Sequence, residues 1–123
     1  GAVPAPRAGR PASEGTFGPK VNAMKHTVDL LSALAEPTRL GALRLLWDGR
    51  EHCVCELMSA LGATQSRMSR HMSVLEAAGL VTGRRDRQWV RYTRSTRLAP
   101  EVSALVDAAL ALGTEIDDRE AAA

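Results

Sequence analysis

The stretch VCELMSALGATQSRMSRHMSVLEAAG, Val54 to Gly79, decides the fold. Val54, Leu57, Met58 and Leu61 recur at i, i+3, i+4 and i+7, which is the spacing of one helical face. Gly62 then ends that helix, because glycine adopts the left-handed conformation at a helix C-terminus without steric cost. Thr64 or Ser66 can cap a following helix, with Met68, Met72 and Leu75 facing inward until Gly79 ends it. Two short helices joined by the tight LGAT connection form a helix-turn-helix pattern.

After Gly79 the apolar period shifts from the helical value to alternation. In LVTGRRDRQWVRYTR, Val90 and Tyr92 fall on one face and Trp89, Arg91 and Thr93 on the other. This predicts a hairpin that turns near Asp86, Arg87 and Gln88. Upstream, Val28, Leu31 and Leu34 make a first helical stripe. Glu36-Pro37 restarts the chain, since proline suits the first helical turn, and Leu40, Leu43, Leu46 and Trp47 follow until Asp48-Gly49. Pro100 opens a last helix with Val102, Leu105, Val106, Ala109, Leu112 and Ile116 on one side. Four helices, a hairpin and a helix predict a mainly α protein with a β-hairpin wing, a winged helix-turn-helix.

The 123 residues allow one domain, small enough for a partner chain to extend its core. Residues 1–23 carry Pro4, Pro6, Pro11 and Pro19 with Gly1, Gly9, Gly15 and Gly18, and little to bury. They are expected to be a mobile upstream extension or an expression remnant. Residues 24–117 form the expected DNA-binding and dimerisation domain, and 118–123 an acidic, frayed tail. The last stripe is too apolar for solvent on so small a body. With the first helix it predicts a homodimer contact through Leu31, Val102, Leu105, Val106, Ala109 and Leu112. No apolar run approaches the roughly 18 residues of a membrane span, and no signal-peptide pattern is present, so a cytoplasmic protein without membrane contact is expected.

The net charge of +2 would not by itself point to nucleic acid. Its distribution does. Thr64 to Arg97 holds eight arginines against Glu76 and Asp86, a surplus of six, leaving the rest of the chain four acidic charges in excess. Positive charge gathered on one helix and a wing is the footprint of phosphate contact. The plainer alternative is a solvated arginine-rich face. Gln65, Ser66, Ser69 and Arg70 lie on the N-terminal turns that reach base edges in a major groove. Gln can pair with adenine and Arg with guanine in bidentate fashion. Arg67, Arg84, Arg85 and Arg87 suit double-stranded DNA through its phosphates. A lone His71 beside Met72 reads as a packing or capping residue rather than a ligand.

Both cysteines, Cys53 and Cys55, stand at the start of the first of these two helices. At i and i+2 they are poor disulfide partners, and as thiolates they suit soft, thiophilic ions. A helix N-terminus favours such anions. On a regular helix, however, the two would point about 200° apart. Both can reach one ion only if Cys53 is extended ahead of the helix or the first turn opens. Two small buried hydrophobes are the plainer reading. His52 could add a nitrogen ligand or serve only as loop polarity.

The segments ALAEPTRLGALRLL, HCVCELMSAL, SRMSRHMSVLEAAGLV and RQWVRYTR, spanning about Val28 to Tyr92, resemble the ArsR/SmtB family of metal-sensing transcriptional repressors. The CVCEL element resembles the arsenic- and antimony-sensing branch. The resemblance implies a homodimer that binds operator DNA without any cofactor and releases it when trivalent arsenic or antimony binds Cys53 and Cys55. Some relatives carry a third cysteine where this chain has Met58, a poor replacement for a thiolate. Relatives that sense cadmium or lead use N-terminal cysteines, which are absent here, and those sensing zinc use last-helix histidines, where this chain has only Asp107 and Glu115. A repressor responding to thiol redox state or to another soft metal through the same cysteines is the alternative. An enzyme is not expected, since the sequence holds no paired carboxylates, nucleophile–base constellation or phosphate loop.

Overall fold

A computed structural model describes residues 18–122, with side chains described through residue 113. The chain divides into two compact units, residues 1–31 and 32–123. The described part of the first holds helix α1 (Pro19–Ala23) and most of α2 (Lys25–Leu34). The segment expected to be an unstructured extension therefore includes a short helix, started by Pro19 at its first position. Residues 1–17 lie outside the described residues. On α2 the buried stripe differs from the expected one. Leu30 is buried, whereas Val28 and Leu31 are 58% and 48% exposed.

The second unit begins with the end of α2, where Ala33 and Leu34 are buried. Helix α3 (Pro37–Leu46) follows, with strand β1 (His52–Cys53), α4 (Val54–Leu61), α5 (Gln65–Ala77), β2 (Val81–Asp86), β3 (Trp89–Arg94) and α6 (Pro100–Ala122). Its starts and stops have local causes. The Glu36 carboxylate accepts the Arg39 N–H at 2.8 Å ahead of Pro37. Thr64 Oγ1 accepts the Arg67 N–H at 3.3 Å and caps α5. Gly62 closes α4 at φ 68°, where its N–H reaches the Met58 carbonyl, a conformation that a side chain would strain.

Leu43, Leu46, Leu57, Met68, Met72, Leu75, Leu80, Val81 and Val106 are fully buried and form the core. Each such side chain contributes about 1.5–3 kcal/mol relative to exposure. Val106 is thus an intramolecular core residue and not the dimer contact expected from the apolar stripe. A 3.6-residue stripe cannot tell the face that meets its own core from the face that meets a partner. Leu112, in contrast, is 61% exposed. Helix α6 continues to Ala122 where a frayed tail was expected from 118. The side chain of Ile116 lies outside the described ones.

The hairpin turns at Arg87, whose φ is 62°, in agreement with the predicted position. The sequence reading missed β1. It joins the wing on the far side of β3, giving the strand order β1-β3-β2, with His52 opposite Tyr92 and Cys53 opposite Arg91. At Gly83 the backbone lies against the buried Tyr92 ring, and a Cβ there would come within 2.8 Å of it.

Candidate functional site

Cys53 is extended, with φ −66° and ψ 147°, and serves as the N-cap of α4, while Cys55 lies inside the first turn. This backbone break places the two sulfurs on the same side. The structure pairs them as a disulfide, with the Cα atoms 5.1 Å apart, and no free cysteine remains among the described residues. The expectation that this spacing disfavours pairing is corrected. The extended Cys53, ahead of the helical Cys55, brings the two sulfurs within bonding reach. Cys53 is buried and Cys55 half-buried.

The hydrogen bonds around the pair form a capping box. Cys53 Sγ accepts the Cys55 N–H at 3.2 Å, and Glu56 Oε1 accepts the Cys53 N–H at 2.7 Å. In the reduced form these residues supply two soft donors to one side at a helix N-terminus, a donor set that suits a thiophilic ion. Among the described residues no group of three or more His, Cys, Asp or Glu is placed to hold a metal ion. His52 does not complete one. Strand alternation turns it to the face opposite Cys53, and its Nε2 is buried without a hydrogen-bond partner among the described residues.

Gln65, Ser66, Arg67 and Arg70 are exposed at the N-terminal half of α5, and Ser69 is half-buried. Arg84, Arg85 and Arg87 are exposed on the wing. The arginines differ in their partners. Arg84 makes a bidentate pair with Glu51, its Nε donating to Oε2 at 2.7 Å and its Nη2 to Oε1 at 2.8 Å. That bond holds the Glu51 carboxyl below its usual range and the Arg84 guanidinium above its own. Arg91 donates to Asp86 at 2.8 Å and likewise lowers the Asp86 carboxyl. Arg94 lies over the Trp47 ring and donates to the Trp47 carbonyl and to Ser103 Oγ. No carboxylate pairs with Arg67, Arg70, Arg85 or Arg87 among the described residues. These four present uncompensated charge.

Sequence reasoning gave Arg39 no role. Its Nε donates to the Ala33 carbonyl at 2.7 Å, one Nη to the Ser32 carbonyl, and the other to Nδ1 of His71 at 3.2 Å. His71 Nε2 stands 3.7 Å from Glu36. Burial pushes the Glu36 carboxyl up, but the Arg39 N–H and the neighbouring His71 outweigh it and lower it overall. His71 is therefore part of a polar tie between α5 and the start of α3, consistent with a structural rather than a ligating role. Residues so far apart in sequence leave no periodic signal. Of the residues expected at a dimer contact, Leu31 and Leu112 are exposed, and Val102, Leu105 and Ala109 are half-buried in the single chain. No helix among the described residues is long and apolar enough to cross a membrane.

Residues 28–82 match the family model described as bacterial regulatory protein, arsR family. The arsenical resistance operon repressor of Escherichia coli is 37% identical over 82 residues, covering 67% of this chain and 70% of that protein. Across the arsenic-resistance regulators of Escherichia coli and Pseudomonas putida that it matches, the chain spans 70%, 64% and 60% of their length. Among solved structures, reduced HlyU from Vibrio cholerae is 36% identical with a TM-score of 0.63, covering 76% of this chain and 94% of that one. The homodimeric winged helix-turn-helix DNA-binding domain of a possible ArsR-family regulator from Mycobacterium bovis is 25% identical with a TM-score of 0.64, over 80% of this chain and 88% of that domain.

Proposed function

The chain belongs to the arsR family of bacterial regulatory proteins, and from that membership and the paired sulfurs we propose a metalloid-responsive repressor. In this reading a homodimer binds double-stranded operator DNA with no cofactor, using Gln65, Ser66, Arg67, Ser69 and Arg70 of α5 and Arg85 and Arg87 of the wing. Trivalent arsenic or antimony then takes the reduced sulfurs of Cys53 and Cys55 and the dimer leaves its operator. The observation that carries the reading is the extended Cys53 at the helix cap, which brings both sulfurs to one side at the start of the first helix of the helix-turn-helix. Helix-turn-helix transcription factors act by binding, and the proposal includes no catalytic step.

The ligand count shapes the response. Trivalent arsenic takes three ligands and this site offers two sulfurs, so arsenite must draw its third from solvent or a small thiol. Methylarsenite already holds a carbon in one position and is expected to release the operator at least as well. The test is an operator titration in reductant with arsenite, antimonite, methylarsenite, cadmium and zinc in parallel. Cys53→Ser and Cys55→Ser should bind operator like the parent and fail to release it. Release of the doubly substituted chain by arsenite would overturn the reading.

The sulfur pairing favours a second reading, a repressor switched by closing and opening the Cys53–Cys55 disulfide. It is separated by the same assay: release by oxidant alone, reversed by reductant and indifferent to arsenite, selects it.

A further inference from the structure

The backbone around the sulfurs is continuous with the wing. Cys53 sits in β1 directly opposite Arg91 of β3, and the Arg91 side chain holds Asp86 at the wing tip. Two residues before Cys53, Glu51 grips Arg84 of β2 through both of its carboxylate oxygens. The segment carrying the first sulfur is thus tied to both wing strands. Cys55, in contrast, lies in the first turn of α4, outside the strand pairing. The fork to Glu51 takes two of the five Arg84 N–H donors and compensates its charge, so holding Glu51 conflicts with full attraction to a DNA phosphate. Its four exposed counterparts, Arg67, Arg70, Arg85 and Arg87, have no such conflict.

We propose that Glu51 and Arg84 are positioning residues that transmit the state of the sulfur pair to the wing, and that Arg84 is a coupling residue rather than a phosphate contact. A ligand that pulls the sulfurs into its own geometry shifts Cys53, and with it Glu51 and the edge of β1. The bidentate pair and the Cys53–Arg91 register carry that shift into β2 and β3, so Arg85 and Arg87 lose their position on the backbone of the DNA. The ion pair is surface-exposed, and its isolated contribution to stability is small. Its value is geometric, because a two-pronged contact fixes orientation as well as distance.

The inference rests on the proposed response to trivalent arsenic, and the experiment separates the two. Operator affinity is measured with and without arsenite, in reductant, for the parent chain, Glu51→Gln, Arg84→Ala and the reciprocal swap Glu51→Arg with Arg84→Glu. Hydrogen exchange of residues 81–94 is followed in the same samples. The parent should lose affinity on adding arsenite, within the roughly 5- to 150-fold range typical of coupled sites, with faster exchange in the wing. Glu51→Gln and Arg84→Ala should bind operator without arsenite like the parent, and lose at least about fivefold of the arsenite effect, and the swap should restore it. If arsenite does not release the parent, the functional reading fails first. If it releases the parent and both single variants equally, or if Arg84→Ala weakens operator binding as Arg85→Ala does, the coupling role of this pair is overturned.

Discussion

Cys53 does two jobs with one sulfur. It caps α4 by accepting the Cys55 N–H, and it is half of the proposed metalloid site. The two roles respond differently to substitution. Serine is among the preferred cap residues, so Cys53→Ser should leave thermal stability close to that of the reduced parent. Alanine has no acceptor, so Cys53→Ala should cost about 0.5–2 kcal/mol, as cap removal does elsewhere. Both should be equally deaf to arsenite. Thermal melts of the two variants in reductant check the contrast, and equal stability of serine and alanine would show that the sulfur is not a working cap.

In the proposed function, α5 and the wing divide the DNA contacts between them. Gln65→Ala or Arg70→Ala should relax sequence preference, with a loss of about 1–3 kcal/mol where a bidentate base contact is removed. Arg85→Ala or Arg87→Ala should weaken all sequences alike and flatten the salt dependence of binding. Competition titrations against scrambled operator at two salt concentrations distinguish the sets; equal effects on preference contradict the division. These elements were legible in the sequence because their signals are local: the 3.6 period of Met68, Met72 and Leu75, the break at Gly62, the alternation around Tyr92. Strand β1 was not. Two residues are too short to show a period, and its partner Tyr92 lies 40 positions away in the numbering. Separations of 33 and 32 positions likewise hid the Glu51–Arg84 pair and the tie between Arg39 and His71, which no spacing rule encodes. The geometric condition for the sulfurs was legible, because about 200° of separation on a helix is a matter of arithmetic; which way the chain met it was decided by that unseen strand.

For the molecule as a whole, the proposed homodimer is expected to cover exposed apolar residues on α2 and on α6. Val28, Leu31 and Leu112 are each more than two-fifths exposed, on a chain too small to waste apolar surface. Leu31→Glu or Leu112→Glu should give a folded monomer that binds operator weakly, whereas Val106→Asp should unfold the protein, because Val106 is sealed in the core. Sedimentation and circular dichroism read the two outcomes, and a parent chain that is monomeric at micromolar concentration yet binds operator tightly would contradict the dimer. In the proposed switch the capping box and the metalloid share a sulfur. A sulfur committed to a metalloid is a poorer acceptor for the Cys55 N–H, so the ligand competes with the start of its own helix. If the proposed response holds, the dose that releases the operator should depend on how firmly Glu56 holds the Cys53 N–H, the other half of the same capping box. Selection can adjust the alarm level of such a switch by changing a residue that never touches the poison.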